Sequence, residues 1–330
     1  MSLTEIAAKV LNKNMGLRAG EEILVVTDEA EYSIGQAFYE AAQTMQASPV
    51  MIRIPVMEVS GSEPPKTVAA AMAAADVVIC PTLRSLTHTN ARIQAAKAGA
   101  RIATMPGITE TMFAQGAITA DYEQVEALTL RLTERLTQAS RARVEKNGHC
   151  MNLSLAGRKG IASTGVYREK GQSGNLPSGE AYIAPLENDS NGTMEIDGSM
   201  AGIGKLSEPL IIQVQDGRIR QILGKDAYQL KILLKNEANA TLCELGIGTN
   251  DKADLCGIVL EDEKVYATVH LAFGTNLSFG GTVKADCHLD GVILNPTLYL
   301  DDRMVLENGR FCPDLGLPGI SNYKEEEREP

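Results

Sequence analysis

The sequence predicts two domains: an α/β domain with a parallel sheet flanked by helices over residues 1–142, and a β-rich α+β domain over residues 143–330. Three observations carry this. At 330 residues the chain is longer than the ~100–200 residues of an ordinary single domain. Its first part alternates short apolar runs with segments of helical period. Beyond residue 143 that alternation gives way to short β-prone runs bounded by Gly, Asn and Asp.

In the first part, Ile23-Leu24-Val25-Val26 is followed by a helical stretch over residues 33–47. An apolar run over 50–56, an Ala-rich helical segment over 66–75, a run over 77–81, a helical segment over 90–98 and a run over 102–105 come next. Strand–helix–strand alternation implies right-handed crossovers, hence a small doubly wound, Rossmann-like sheet. A long helix is expected over 121–142, because Val125, Leu128, Leu132 and Leu136 fall on one stripe. Glu126, Arg131, Glu134 and Arg135 form its solvated face.

In the second part, strands are expected over residues 211–214, 219–223, 258–260, 265–271, 291–294 and 297–300. Gln215-Asp216-Gly217 and Glu307-Asn308-Gly309 are turn signals for antiparallel hairpins. One helix is expected over 226–235, and the acidic tail 324–330, which has no apolar residue, is expected to fray.

Composition narrows the function classes. A formal net charge of -11 and a pI near 5.0 disfavour nucleic acid and anionic membranes as partners, since no Lys/Arg cluster offsets them. An aromatic fraction of 4% without Trp leaves no base-stacking platform, so a peptide or small-molecule substrate is expected. Cys80, Cys150, Cys243, Cys256, Cys287 and Cys312 are scattered and form no C-x-x-C, as expected for free thiols in a reducing compartment. With no secretory h-region and no apolar run near the ~20 residues that span a bilayer, a cytoplasmic location is expected.

Nucleotide-binding motifs are absent. Ser199-Met200-Ala201-Gly202-Ile203-Gly204-Lys205-Leu206 lacks the first Gly and the final Ser/Thr of a P-loop. Thr27-Asp28-Glu29-Ala30 would set carboxylates against a pyrophosphate.

The candidate chemistry lies in the second domain. Two of the four histidines, His270 and His288, are 18 residues apart there, and His288-Leu289-Asp290 would put an imidazole and a carboxylate on one face of a strand. With His270 closing the run 265–270, this set suits zinc, cobalt, manganese or ferrous iron. The ordinary alternative makes both histidines half-buried strand residues and Asp290 part of a turn. Glu180, after the turn-forming Asn175-Leu176-Pro177-Ser178-Gly179, and Glu244, amid Leu242-Cys243 and Leu245, are the further candidates. An ionised carboxylate in apolar surroundings costs several kcal/mol unless paired or metal-bound. An exposed loop position for Glu180 and a solvent-facing strand position for Glu244 are the other readings.

Four ordered blocks resemble the aminopeptidase T and aminopeptidase S family of metal-dependent exopeptidases. They are Asn175-Leu176-Pro177-Ser178-Gly179-Glu180, Glu244-Leu245-Gly246-Ile247-Gly248-Thr249-Asn250, His270-Leu271-Ala272-Phe273-Gly274 and His288-Leu289-Asp290. The resemblance implies a homodimer and a metal shell of Glu180, Glu244, His270, His288 and Asp290. Five such ligands favour two ions, zinc, cobalt or manganese, activating a water for hydrolysis of an N-terminal residue. Glu180 or Glu244 would then be the catalytic proton shuttle.

Two departures point elsewhere. Leu277 stands where that family has a tyrosine, and the chain is shorter. In both respects it resembles the ferrous dihydroxypyridine ring-cleaving dioxygenases of the same superfamily, which implies His270, His288 and Asp290 on a single Fe(II) and His88 as a base from the first domain. His88 can also be read as a helix-start residue beside a capping Thr87. The retained Glu180 and Glu244 place the aminopeptidase first and the dioxygenase second. A non-catalytic binding relative is the third expectation. His149 has no assignable role.

Overall fold

A computed structural model describes residues 1–315; the acidic tail over 324–330 lies outside the described residues. The chain forms two compact units, Met1–Tyr122 with Gly165–Ser178, and Glu123–Thr164 with the described residues from Gly179 onward. The change of sequence texture at residue 143 coincides with the first antiparallel strand, whereas the units part at residue 122 and the chain later returns to the first one.

The first unit runs α1 (Leu3–Lys13), β1 (Glu22–Thr27), α2 (Tyr32–Thr44), β2 (Ser48–Arg53), α3 (Lys66–Ala74), β3 (Val77–Thr82), α4 (Asn90–Ala98), β4 (Arg101–Pro106) and α5 (Glu110–Gln115). Ser2 opens α1 with a reciprocal capping box to Glu5, and Thr89 and Thr109 cap α4 and α5. The expected α/β domain with a parallel sheet is present: the strand order is β2-β1-β3-β4, all parallel. β3 is buried at every residue, as a strand covered on both faces must be.

From its second residue on, α6 (Tyr122–Gln138) belongs to the second unit, and its predicted stripe Leu128, Leu132 and Leu136 is fully buried. The helix ends four residues before the expected 142 because β5 (Arg141–Lys146) has already begun. β6 (His149–Ser154) and β7 (Ile161–Ser163) follow. β8 (Ser173–Asn175) belongs to the first unit, where it adds a fifth parallel strand beside β4. The chain resumes with β9 (Glu180–Ile183), β10 (Ser190–Ile196), β11 (Ser199–Met200), β12 (Gly204–Lys205), β13 (Leu210–Gln215), β14 (Arg218–Leu223) and α7 (Ala227–Leu234). Last come β15 (Leu242–Gly248), α8 (Val259–Asp262), β16 (Val269–Gly274), β17 (His288–Ile293), β18 (Thr297–Leu300), β19 (Arg303–Glu307) and β20 (Arg310–Phe311).

These strands form two antiparallel sheets, β14-β13-β10-β6-β5-β18-β19-β20 and β12-β11-β17-β16-β15-β9-β7, as the β-rich expectation requires. Both hairpin signals hold: Asp216 and Gly217 take φ 51° and 70°, Asn308 and Gly309 φ 48° and 73°, the left-handed pairs that match strand twist. Two strand expectations fail. Residues 258–260 enter α8, and the run from 265 becomes a strand only at Val269, because Ala267 at φ 60° breaks the extended backbone. His270 is therefore the second residue of its strand and not its end.

One core fills the space between the two antiparallel sheets, with Val144, Met151, Met194 and Ile212 from one and Ile183, Leu245, Ile247, Leu271 and Ile293 from the other. Among the described residues no helix is long and apolar enough to cross a membrane.

Candidate metal centre

Period-2 alternation decides which residues of the seven-stranded sheet face away from that core. The register pairs Gly248 with Glu180, Gly246 with Tyr182 and His270, Ala272 with Glu244 and Asp290, and Gly274 with His288. Directly paired residues share a face, so all five expected metal ligands project from the same side of four adjacent strands. The small residues Gly246, Gly248, Ala272 and Gly274 lie between them and leave room.

Glu244 reaches this face through a β-bulge. Leu242 pairs with Phe273 while Glu244 pairs with Ala272, so Cys243 is the extra residue. The bulge lets Leu242 point into the core two residues before a carboxylate that points out of it.

The side chains converge. His270 Nε2 lies 3.3 Å from Glu244 Oε1 and 3.4 Å from Glu180 Oε2. His288 Nε2 lies 3.4 Å from Glu244 Oε2 and 3.3 Å from Asp290 Oδ1. Glu244 thus bridges the two imidazoles. Ligand atoms of Glu244, His270 and Asp290 all fall within 4.8 Å of one another, as do those of Glu180, Glu263 and His270. His270 is fully buried, while the His288 side chain is 29% exposed and marks the open side of the cluster.

The donor set fits a divalent cation. Charge-assisted N–H···O bonds run to about 2.7–2.9 Å, and these separations are longer. Two ligands each about 2.0–2.2 Å from a shared ion stand roughly 3.0–3.5 Å apart, which matches them. Among the described residues, buried Glu180 Oε2 and Asp290 Oδ1 each face an imidazole nitrogen at 3.4 and 3.3 Å without a well-formed hydrogen bond, an arrangement that a cation between them would satisfy. His288 Nδ1 stands 2.9 Å from the Thr275 carbonyl oxygen. A carbonyl cannot donate, so Nδ1 carries the hydrogen and Nε2 is the nitrogen that a cation would take.

Electrostatics point the same way. Burial opposes charge on His270, yet the bond to Glu244 and the charges of Glu180, Glu244 and Asp290 outweigh it and raise the imidazole to about 9. His288 is raised well above its ordinary range, chiefly by Asp290 acting against burial. Burial would lift Asp290, but His288 holds it down at about 2. Glu244 is likewise kept below the usual carboxylate range by His270 and His288 against the effect of burial. The carboxylates therefore demand positive charge, from protons or from a metal ion.

Several neighbours escape sequence reasoning. Lys264 is fully buried, with Nζ 2.7 Å from Glu180 Oε1 and a second bond to Glu263 Oε1. Tyr182 shares the cluster's face, and burial together with the Glu244 and Glu180 charges holds its phenol protonated. The Phe279 ring stands edge-on to Tyr182 at 5.4 Å and to His288 at 5.8 Å, making an aromatic wall. Leu277 is 52% exposed. His88 belongs to the first unit and is exposed on the turn before α4, whose cap is Thr89 and not Thr87.

This geometry is compatible with either related chemistry, and the comparisons decide between them. The family model for 2,5-dihydroxypyridine 5,6-dioxygenases, NicX, matches residues 2–313. The chain belongs to the NicX family. It is 25% identical over 260 residues to the 2,5-dihydroxypyridine 5,6-dioxygenase of Pseudomonas putida KT2440, covering 72% of this chain and 71% of that protein. The solved structure of 2,5-dihydroxypyridine dioxygenase from the same organism superposes with a TM-score of 0.80 at 21% identity, over 94% of this chain and 97% of the other. AmpT from Thermus thermophilus shares the fold, with a TM-score of 0.69 at 18% identity over 94% of this chain and 98% of the other.

The family match overturns the aminopeptidase expectation, and with it the hydrolase and protease assignments. Glu180 and Glu244 favour a peptidase only if a one-ion site has no use for them. Glu180 instead pairs with Lys264, and Glu244 spans both imidazoles. Retention of either glutamate therefore does not imply a second ion.

Proposed function

We propose that this member of the family is a mononuclear, iron(II)-dependent ring-cleaving dioxygenase of the 2,5-dihydroxypyridine type, with His270, His288 and Asp290 holding the ion. The observation behind this reading is the convergence of two imidazoles and a buried carboxylate on one sheet face, in a chain matched to the family over residues 2–313. Two histidines and a carboxylate with open positions are the usual donor set for ferrous oxygen chemistry. Ferrous iron, when bound, supplies the redox-active centre at which dioxygen and a chelating hydroxypyridine react.

The protein's own groups do the rest. Thr275 fixes the His288 tautomer through its carbonyl oxygen, and Glu244 orients both rings. Tyr182, held protonated, offers a hydrogen-bond donor toward the same face. Phe279 gives a flat heteroaromatic ring a wall to lie against.

The reading is tested by loading purified protein with Fe(II) under argon and then adding 2,5-dihydroxypyridine and oxygen. One dioxygen is expected to disappear per pyridine, with loss of the ring's ultraviolet absorbance and no hydrolysis of aminoacyl anilides under zinc, cobalt or manganese. Anilide hydrolysis without oxygen uptake would reverse the reading.

A further inference from the structure

The cluster contains two overlapping ligand groups. Glu244, His270 and Asp290 form one, and Glu180, Glu263 and His270 form the other. Such a frame, with a shared member and a carboxylate between, is what a pair of ions 3.5–4 Å apart needs. The two groups differ in one respect. Glu244 and Asp290 pair with imidazoles, whereas Glu180 and Glu263 both accept hydrogen bonds from the ammonium of Lys264.

We propose that Lys264 is a built-in occupant of the second cation position, and that its ammonium restricts this site to one divalent ion. The inference rests on the single-ion reading above and adds the residue that enforces it.

Three features support it. The Lys264 side chain is 1% exposed, so its charge is no surface accident and needs the two carboxylates it touches to compensate it. Its place is set by close backbone packing. The chain at Val265 runs against Gly248 on β15, where any Cβ would come within 1.9 Å of the Val265 carbonyl oxygen. Only a glycine there lets the Lys264 segment reach the ligand face. Finally, Nζ holds Glu180 Oε1 and Glu263 Oε1, so an ion on the other oxygens of these carboxylates would sit beside an ammonium in a water-poor pocket, where like charges repel strongly.

The experiment is Mn(II) titration of metal-free, full-length protein, with bound metal counted by equilibrium dialysis and elemental analysis. Wild type is expected to take one equivalent. Lys264→Met and Lys264→Gln are each expected to take a second, weaker equivalent, which adding Glu180→Gln abolishes. Lys264→Arg should stay at one. Folded Lys264→Met or Lys264→Gln protein that still binds one ion overturns the role of Lys264 and leaves the dioxygenase reading standing. Wild type binding no ion sinks the functional reading itself. If neither neutral variant folds, electron paramagnetic resonance of wild type under tenfold excess Mn(II) decides: an isolated-ion spectrum supports the proposal, and an exchange-coupled pair refutes it.

Discussion

The imidazole of His270 crosses the α-carbon of Gly246 on the neighbouring strand so closely that a Cβ there would stand 1.9 Å from Nε2. Gly246 has no positive φ, so its requirement is one of space and not of backbone conformation. Gly246→Ala should displace the ring while leaving the sheet intact. Metal affinity is expected to fall about 10- to 100-fold, the range typical of lost ligand positioning. Dialysis against Mn(II) beside a thermal melt checks this, and an unchanged affinity shows that the ring is not held by that contact.

Metal binding should stabilise the protein. At a free concentration of about 100 times Kd, an ion that binds only the native state contributes ~2.7 kcal/mol. For a unit of this size that corresponds to a Tm rise of roughly 5–10 °C. Asp290→Asn removes the charge at Oδ1, the oxygen that faces His288 Nε2, and is expected to erase the rise. A metal-dependent shift persisting in that variant places the ion elsewhere.

Phe279 touches both Tyr182 and His288 edge-on, so its loss should be felt in substrate binding before chemistry. Aromatic pairs contribute about 0.5–1.5 kcal/mol beyond area burial. Phe279→Ala is expected to raise KM about 2- to 12-fold with kcat nearly constant. A fall confined to kcat contradicts a stacking role.

In the first unit, Glu31 precedes α2 beside Asp28, whose carboxylate accepts from the backbone N–H groups of Ala30, Glu31 and Leu83. Burial first, then the charges of Asp28 and Glu110, push the Glu31 carboxyl up to about 7 from an ordinary value of 4.5. The native state therefore holds this proton more tightly than the unfolded chain does. That contribution is complete below pH 4.5 and is lost as pH rises through 7. Glu31→Gln, neutral at every pH, should gain Tm over wild type at pH 8 and little at pH 5. Equal differences at the two values refute the linkage.

Much of this architecture was legible in local pattern. Asp216-Gly217 and Asn308-Gly309 announced hairpins because tight turns need positive φ, and the His288–Asp290 spacing placed two donors on one face because strands repeat every two residues. Glu244 stood out as a carboxylate in an apolar run, though the bulge at Cys243 that accommodates it had no sequence signal. Lys264 was hidden for a different reason. Within Glu261-Asp262-Glu263-Lys264 it reads as a solvated charge run, and only long-range packing against β15 buries it. The short apolar run at 258–260 is ambiguous between strand and helix until its tertiary surroundings decide. The choice of reaction was illegible because two imidazoles and a few carboxylates suit more than one metal-dependent chemistry.

The return of residues 165–178 to the first unit has a practical consequence. β8 is the outermost strand beside β4, and the Tyr167 hydroxyl donates to the Asn175 carbonyl oxygen from the same segment. A fragment truncated at residue 142 would therefore present the bare margin of β4, with its unpaired amides, to any extended peptide it met. Separating the halves calls for a circularly rearranged gene, with 165–178 reattached to the first unit, and not for a single cut.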